Sequence, residues 1–145
     1  MYDVLIIGAG VVGGVLAREL KRYDLSVCLL EKESDVATGA TKANSGIIHG
    51  GFDPEPDTLK AKLNAQGVEL LYEAAKELNV PYKNNGSMVV AFSKEEELVL
   101  EELLNRGKQN GIDGLSIISG DKAREIEPNL SDEITKVLLV PSAGI

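Results

Sequence analysis

The sequence predicts an α/β fold: a parallel βαβ unit first, then the start of a second, α+β domain, with the fold incomplete. Three observations predict it. The apolar run Val4 to Ile7 breaks into Gly8, Gly10 and Gly13, after which Val12, Val15, Leu16 and Leu20 recur at helical spacing. A second unbroken apolar run, Ser26 to Leu30, suits a parallel strand buried on both faces. Beyond Leu78 the pattern changes to short strands, short helices and an Asn-Gly turn. That change puts a domain boundary between residues 1–78 and 79–145.

The first strand, Val4 to Ile7, feeds a tight turn and a helix from about Val11 to Arg22. First-turn amides have no intrahelical acceptor, and the helix dipole favours negative charge there, so the turn is an anion site. Gly8 permits the sharp turn, Gly10 lets a pyrophosphate approach the backbone, and Gly13 lets the helix pack against the strand. These are the features of a Rossmann-like dinucleotide-binding unit. The second strand ends at Glu31, eighteen residues after Gly13. A carboxylate there accepts hydrogen bonds from both ribose hydroxyls of an adenosine. Lys32 is the only adjacent base and Glu33 follows it, which disfavours a 2′-phosphate. Cys28, the only cysteine, is expected to be a buried strand residue, and no disulfide can form within the chain.

Residues 34–56 form a long loop rich in small and hydroxyl residues, a composition that lets backbone run close to a flat ligand. Thr41, Asn44 and Ser45 can donate to phosphate or ring heteroatoms. His49, the only histidine, is flanked by Ile48 and Gly50-Gly51. The residues alone leave a structural and a catalytic role equally open for it.

Asp57 to Leu78 is expected to be a helix capped by Asp57, with Leu59, Leu63, Val68, Leu71, Ala75 and Leu78 on one apolar stripe. Asn84-Asn85-Gly86 signals a hairpin turn before a strand at Met88 to Phe92. Ser93-Lys94-Glu95-Glu96 is a capping box opening a helix to about Arg106, and its acids read as a solvated helix start. Gly107 to Gly114 is expected to be a turn region and Leu115 to Ile118 a strand. Ser119-Gly120-Asp121 caps a short helix ending at Glu127-Pro128, and the last strand is Ile134 to Val140.

The chain has 145 residues and a net charge of −8, which argues against nucleic acid as a partner but not against a small anion held by local amides. No metal site is expected. No apolar run approaches the roughly 20 residues of a membrane span, and the first one is too short to be a signal peptide. The chain end, Lys136 to Ile145, which reads as a strand and a turn into more apolar chain, and the presence of only two clear parallel strands suggest the N-terminal piece of a longer protein.

The run Asp3 to Gly13, with Ala17 and Glu31, resembles the FAD-binding fingerprint of flavoproteins with two dinucleotide-binding domains. The loop Asn44-Ser45-Gly46-Ile47-Ile48-His49-Gly50-Gly51 is more specific and resembles the flavin-side loop of D-amino-acid-oxidase-like FAD oxidoreductases. Pro56 to Leu63 and Arg124 to Pro128 look like the branch of FAD-dependent glycerol-3-phosphate dehydrogenase and L-2-hydroxyglutarate dehydrogenase.

The resemblance implies an FAD enzyme about three times this long. It would oxidise a 2-hydroxy acid or a polyol phosphate, passing hydride from the substrate carbon to flavin N5 and electrons on to a quinone, a protein or oxygen. On this resemblance Gly8, Ala9, Gly10, Val11, Val12 and Gly13 form the pyrophosphate cradle, and Glu31 with Lys32 beside it holds the adenosine ribose. Thr41, Asn44, Ser45 and Gly46 contact the phosphates and ribityl chain. His49 lies near the isoalloxazine as the candidate catalytic residue. The expected location is cytoplasmic or peripheral to the inner face of the membrane, and the fragment alone is expected to be inactive. Two alternatives stay open: a nicotinamide-dependent dehydrogenase with a single Rossmann domain, which the 34–56 loop argues against, and a non-catalytic FAD-binding subunit.

Overall fold

The computed structural model describes all residues, Met1 to Ile145. By compactness the chain divides into Met1–Ser45 and Gly46–Ile145. This division precedes the boundary at 78/79 suggested by the change of pattern, because the long helix after the loop packs with the residues that follow it.

The first unit is a βαβ unit: β1 (Val4–Ile7), α1 (Val11–Leu20) and β2 (Val27–Leu30). The strands are parallel, in register from Val4 opposite Val27 to Ile7 opposite Leu30. One end is stapled by Asp3, whose Oδ2 accepts from the Ser26 amide at 2.8 Å and the Ser26 hydroxyl at 2.5 Å. These bonds from Ser26 hold the Asp3 carboxyl below the usual carboxylate range. At the other end the Gly8 amide donates to the Leu30 carbonyl at 2.7 Å.

The expectation of strands buried on both faces is corrected. Ile6 is buried, but Leu5, Ile7 and Leu30 are exposed and Cys28 is only half-buried. Two strands make up this sheet and α1 is the one helix packed on it, so the other face has no cover.

The second unit contains α2 (Leu59–Glu77), β3 (Ser87–Ala91), α3 (Lys94–Gln109), β4 (Ser116–Ser119), α4 (Gly120–Ile126) and β5 (Lys136–Val140). Its sheet is antiparallel in the order β3-β5-β4. Strand β5 is central and buried on both faces. Leu138 and Val140 join Phe52, Ala91 and Leu100 of α3, while Val137 joins Ala123 of α4 and Ile134. The core thus depends on pairing the last strand with two earlier ones.

Several local expectations change here. Asn84-Asn85-Gly86 does not close a hairpin. Residues 83–86 instead run beside the chain end, with reciprocal backbone bonds between Lys83 and Ile145 and a bond from the Gly86 amide to the Ala143 carbonyl. The cap of α2 is Thr58, whose hydroxyl accepts from the Ala61 amide at 3.1 Å, and not Asp57, which lies at φ 63°. The α2 stripe buries Ala61, Val68 and Ala75, while Leu59, Leu63, Leu71 and Leu78 are exposed. Helix α3 continues past Arg106 through buried Gly107 to Gln109. A Cβ on Gly107 would stand 3.0 Å from the Phe52 Cβ and overlap Leu115, so the glycine serves helix–loop packing rather than a turn.

Candidate functional site

The glycine turn builds the site. Gly8 takes φ +100°, a conformation that favours glycine. A Cβ on Gly13 would overlap the carbonyl oxygen of Gly8 and stand 3.4 Å from Ile6, so α1 lies against the turn as closely as backbone allows. Gly10 is the N-cap residue of α1 and has no side-chain cap bond.

The turn opens onto a groove of about 740 Å³, lined among others by Ile7, Gly8, Gly10, Glu31, Thr38 and Thr41. Glu31 is fixed at its edge. Its Oε2 accepts from the Ala9 amide at 2.8 Å, and its Oε1 from the amides of Lys32 at 2.8 Å and Glu33 at 3.1 Å. The Ala9 amide, then those of Glu33 and Lys32, hold the Glu31 carboxyl below its ordinary range. A carboxylate has about four acceptor sites. The three amides leave one, on Oε2, for a ligand hydroxyl.

Thr41 comes from the loop. Its Oγ1 accepts from the Val11 amide at 2.9 Å and lies 3.1 Å from where a Cβ on Gly10 would stand. The side-chain amide of Asn44 donates to the Thr41 carbonyl, and the Ala37 amide donates to the Ala9 carbonyl at 3.0 Å. Of the four amides at Ala9–Val12, two are therefore satisfied within the chain. Those of Gly10 and Val12 have no in-chain acceptor and are the open donors of the turn.

The structure brings Gly8, Gly10, Glu31, Lys32 and Thr41 to one groove. Ala9 and Gly13 are buried; Val11 and Val12 are exposed at the start of α1. Lys32 points its ammonium at Glu33, 3.3 Å away. Ser45 ends the first unit and Gly46, at φ +67°, begins the second. The groove residues Ala37, Thr38, Gly39 and Ala40 were not singled out by sequence reasoning; the run of small residues around them is their only signal.

His49 belongs to the second unit. Its Nδ1 accepts from the Gly51 amide at 3.1 Å, its Nε2 is 3.3 Å from Asp53 Oδ1, and its ring stacks on Phe52 at 5.8 Å between centroids. Asp53 and Phe52 went unnoticed in the sequence as partners of His49.

A parallel βαβ unit with a glycine turn, open first-turn amides and a carboxylate at the end of the second strand defines a dinucleotide-binding protein. Comparison with known proteins gives the family. Residues 3–145 match the model of the family described as DAO, FAD dependent oxidoreductase. The chain belongs to this family of FAD-dependent oxidoreductases.

A glycerol 3-phosphate dehydrogenase of Caloramator mitchellensis is 50% identical over 145 residues, which is 100% of this chain and 30% of the relative. A mitochondrial L-2-hydroxyglutarate dehydrogenase of Nematostella vectensis is 40% identical over 146 residues, 99% of this chain and 32% of the relative. Among solved structures, the dithionite-reduced L-alpha-glycerophosphate oxidase of Mycoplasma pneumoniae with FAD bound superposes with a TM-score of 0.92. It is 35% identical, with 99% of this chain and 38% of that one covered. The chain thus spans about a third of the length of these relatives.

Proposed function

We propose that this chain is the N-terminal FAD-binding portion of a flavin-dependent dehydrogenase or oxidase acting on a CH–OH donor such as glycerol 3-phosphate or L-2-hydroxyglutarate. The observation that carries this reading is the groove in which Gly10, with its open amide, stands with the Glu31 carboxylate. The open amides suit a pyrophosphate, and the remaining acceptor site on Glu31 suits a ribose hydroxyl. No arginine stands beside Glu31 for a 2′-phosphate. Both features fit FAD.

In this reading the Gly10 and Val12 amides donate to the pyrophosphate. Thr41, already accepting from Val11, donates its own O–H into the groove. Glu31 accepts from the ribose, with Lys32 at the rim. Asn44, Ser45 and Gly46 run beside the phosphates and ribityl chain, and His49 stands near the isoalloxazine. FAD, when bound, supplies the two-electron acceptor. Residues 1–78 contribute to the cofactor domain and 79–145 begin the substrate domain.

The donor is a small hydroxy acid or polyol phosphate, and the electron acceptor is a quinone, a protein or oxygen. No helix is long and apolar enough to cross a membrane. We place the complete protein in the cytoplasm or at the inner face of the membrane.

The test uses the protein expressed from its complete reading frame. It is expected to show flavin absorbance, bleached under anaerobic conditions by L-glycerol 3-phosphate or L-2-hydroxyglutarate. Absence of flavin bands even after added FAD would overturn the cofactor reading. Flavin bands that no hydroxy acid or polyol phosphate bleaches would favour a non-catalytic FAD-binding subunit.

A further inference from the structure

We propose that Asp53 is a positioning residue for His49, holding the imidazole in one tautomer and one orientation. The role in flavin reduction rests on the function proposed above; the geometry does not. The segment from His49 to Asp53 is a rigid turn. Gly50, Gly51 and Phe52 are buried; a Cβ on Gly50 would overlap Val140, and Gly51 stands at φ +79°, with a Cβ there 2.6 Å from Ile112 Cδ1. Helix α3 pins the far end. Arg106 donates to the Asp53 carbonyl at 3.1 Å, and Asn110 donates to the Pro54 carbonyl at 2.8 Å. What this turn presents to solvent is the side-chain pair, 48% exposed for His49 and 42% for Asp53.

Each ring nitrogen has a distinct neighbour. The Gly51 amide donates to Nδ1, so the proton of the neutral ring belongs on Nε2. Nε2 faces Asp53 Oδ1 at 3.3 Å. That oxygen is buried and has no hydrogen-bond partner, so the imidazole is the one donor placed to approach it. At 3.3 Å the two groups stand within ion-pair range without completing a hydrogen bond. Phe52 lies nearly parallel to the ring, at 15°, and restrains its plane. The amide on Nδ1 and the carboxylate facing Nε2 together select the tautomer, the carboxylate also sets the ring's direction, and the aromatic ring restrains its tilt. A carboxylate that orients a histidine acts through it without touching the reacting atoms, which is the part assigned here to Asp53.

The chain has a single histidine, so nitrogen-15 spectra of the labelled 145-residue protein report one imidazole and need no flavin. At a pH where the ring is neutral, the two ring nitrogens are expected at widely separated shifts, with the proton on Nε2. Asp53→Ala should draw the two shifts together as the tautomers mix. Asp53→Asn, which keeps an acceptor oxygen, should restore the separation. Mixed tautomers in the unsubstituted protein, or an unchanged separation in Asp53→Ala, would overturn the proposal. If Asp53→Ala does not fold, the unsubstituted protein and Asp53→Asn still decide it.

In the complete protein, His49→Ala and Asp53→Ala should each slow flavin reduction by roughly tenfold or more, the scale of a lost acid–base contribution. FAD content should not change, and the double variant should be no slower than His49→Ala alone. Multiplying losses would show that Asp53 does not act through His49 and would overturn its positioning role. Absence of flavin in the complete protein would instead overturn the proposed function, while the ring-nitrogen measurement still tests the geometry.

Discussion

The carboxylate of Glu31 accepts the amide proton of Ala9 at 2.8 Å, tying the end of β2 to the turn that follows β1. This bond and the amides of Lys32 and Glu33 orient the carboxylate before any ligand arrives. Glu31→Ala should weaken FAD binding by roughly ten- to a hundredfold, the scale of a charge-assisted hydrogen bond lost with its supporting contacts. Titration of the apoprotein with FAD measures it; an unchanged dissociation constant would remove Glu31 from the ribose site. The sign of the pH effect follows from the amides, which hold the folded-state carboxyl below its ordinary range. The tie is complete above the ordinary glutamate range and is lost as pH falls through the depressed folded value. FAD affinity should therefore hold, as far as Glu31 governs it, from neutrality down through that ordinary range.

Gly10 and Thr41 make the second prediction. A Cβ on Gly10 would press on Thr41 Oγ1 at 3.1 Å, and that oxygen caps the Val11 amide. Gly10→Val should displace the hydroxyl, speed hydrogen exchange at the Val11 amide and abolish flavin binding. Normal flavin occupancy in this variant would refute the pyrophosphate assignment. Thr41→Val should expose the same amide while leaving Gly10 unchanged, and Thr41→Ser should restore its protection.

Gly13 tests the packing beneath the groove. Its Cβ would overlap the Gly8 carbonyl, a backbone atom that cannot rotate away. Gly13→Ala should cost about 1–3 kcal/mol, the range for overpacking a close contact. Denaturant melts of the chain would register it as a lower midpoint. A midpoint equal to that of the unsubstituted protein would mean that α1 can lift from the strand without loss.

Part of the local structure was legible in the sequence. Gly8 announces a positive φ, Gly13 a close approach, and the caps at Ser93 and Ser119 follow from short-range hydrogen bonding. Contacts between distant residues could not be read this way. Thr41 caps a helix thirty residues earlier, and β5 inserts between β3 and β4. Asn84-Asn85-Gly86 carries hairpin chemistry, but the residues before it pair with the chain end instead of with β3. The α2 leucines have the right period for burial, yet period does not say what covers a face, and four of them are exposed. The groove was legible through its glycines and Glu31. The sharing of its amides among Glu31, Thr41 and the open positions was not, because that depends on where a 22- or 30-residue separation closes in space.

Glu97 shows the same limit and gives the last prediction. It lies one residue beyond the capping box, on a helix start that reads as solvated, yet its side chain is only 7% exposed. Lys136 of β5 approaches its Oε2 at 3.0 Å and Lys94 at 3.1 Å. Lys136 first, and Lys94 next, pull the Glu97 carboxyl down from 4.5 to about 2. Because the folded value is depressed, the charged pair contributes its full stability above 4.5 and loses it as pH falls towards about 2. Glu97→Gln keeps the shape and removes the charge, leaving two ammonium groups without their carboxylate. It should lower the thermal midpoint at neutral pH, and the gap to the unsubstituted protein should close as the pH is lowered through that window. Thermal melts followed by circular dichroism across a pH series measure the gap. A difference that persists undiminished at the acid end would mean that Glu97 stabilises the α3–β5 contact by shape and hydrogen bonding, independent of its charge.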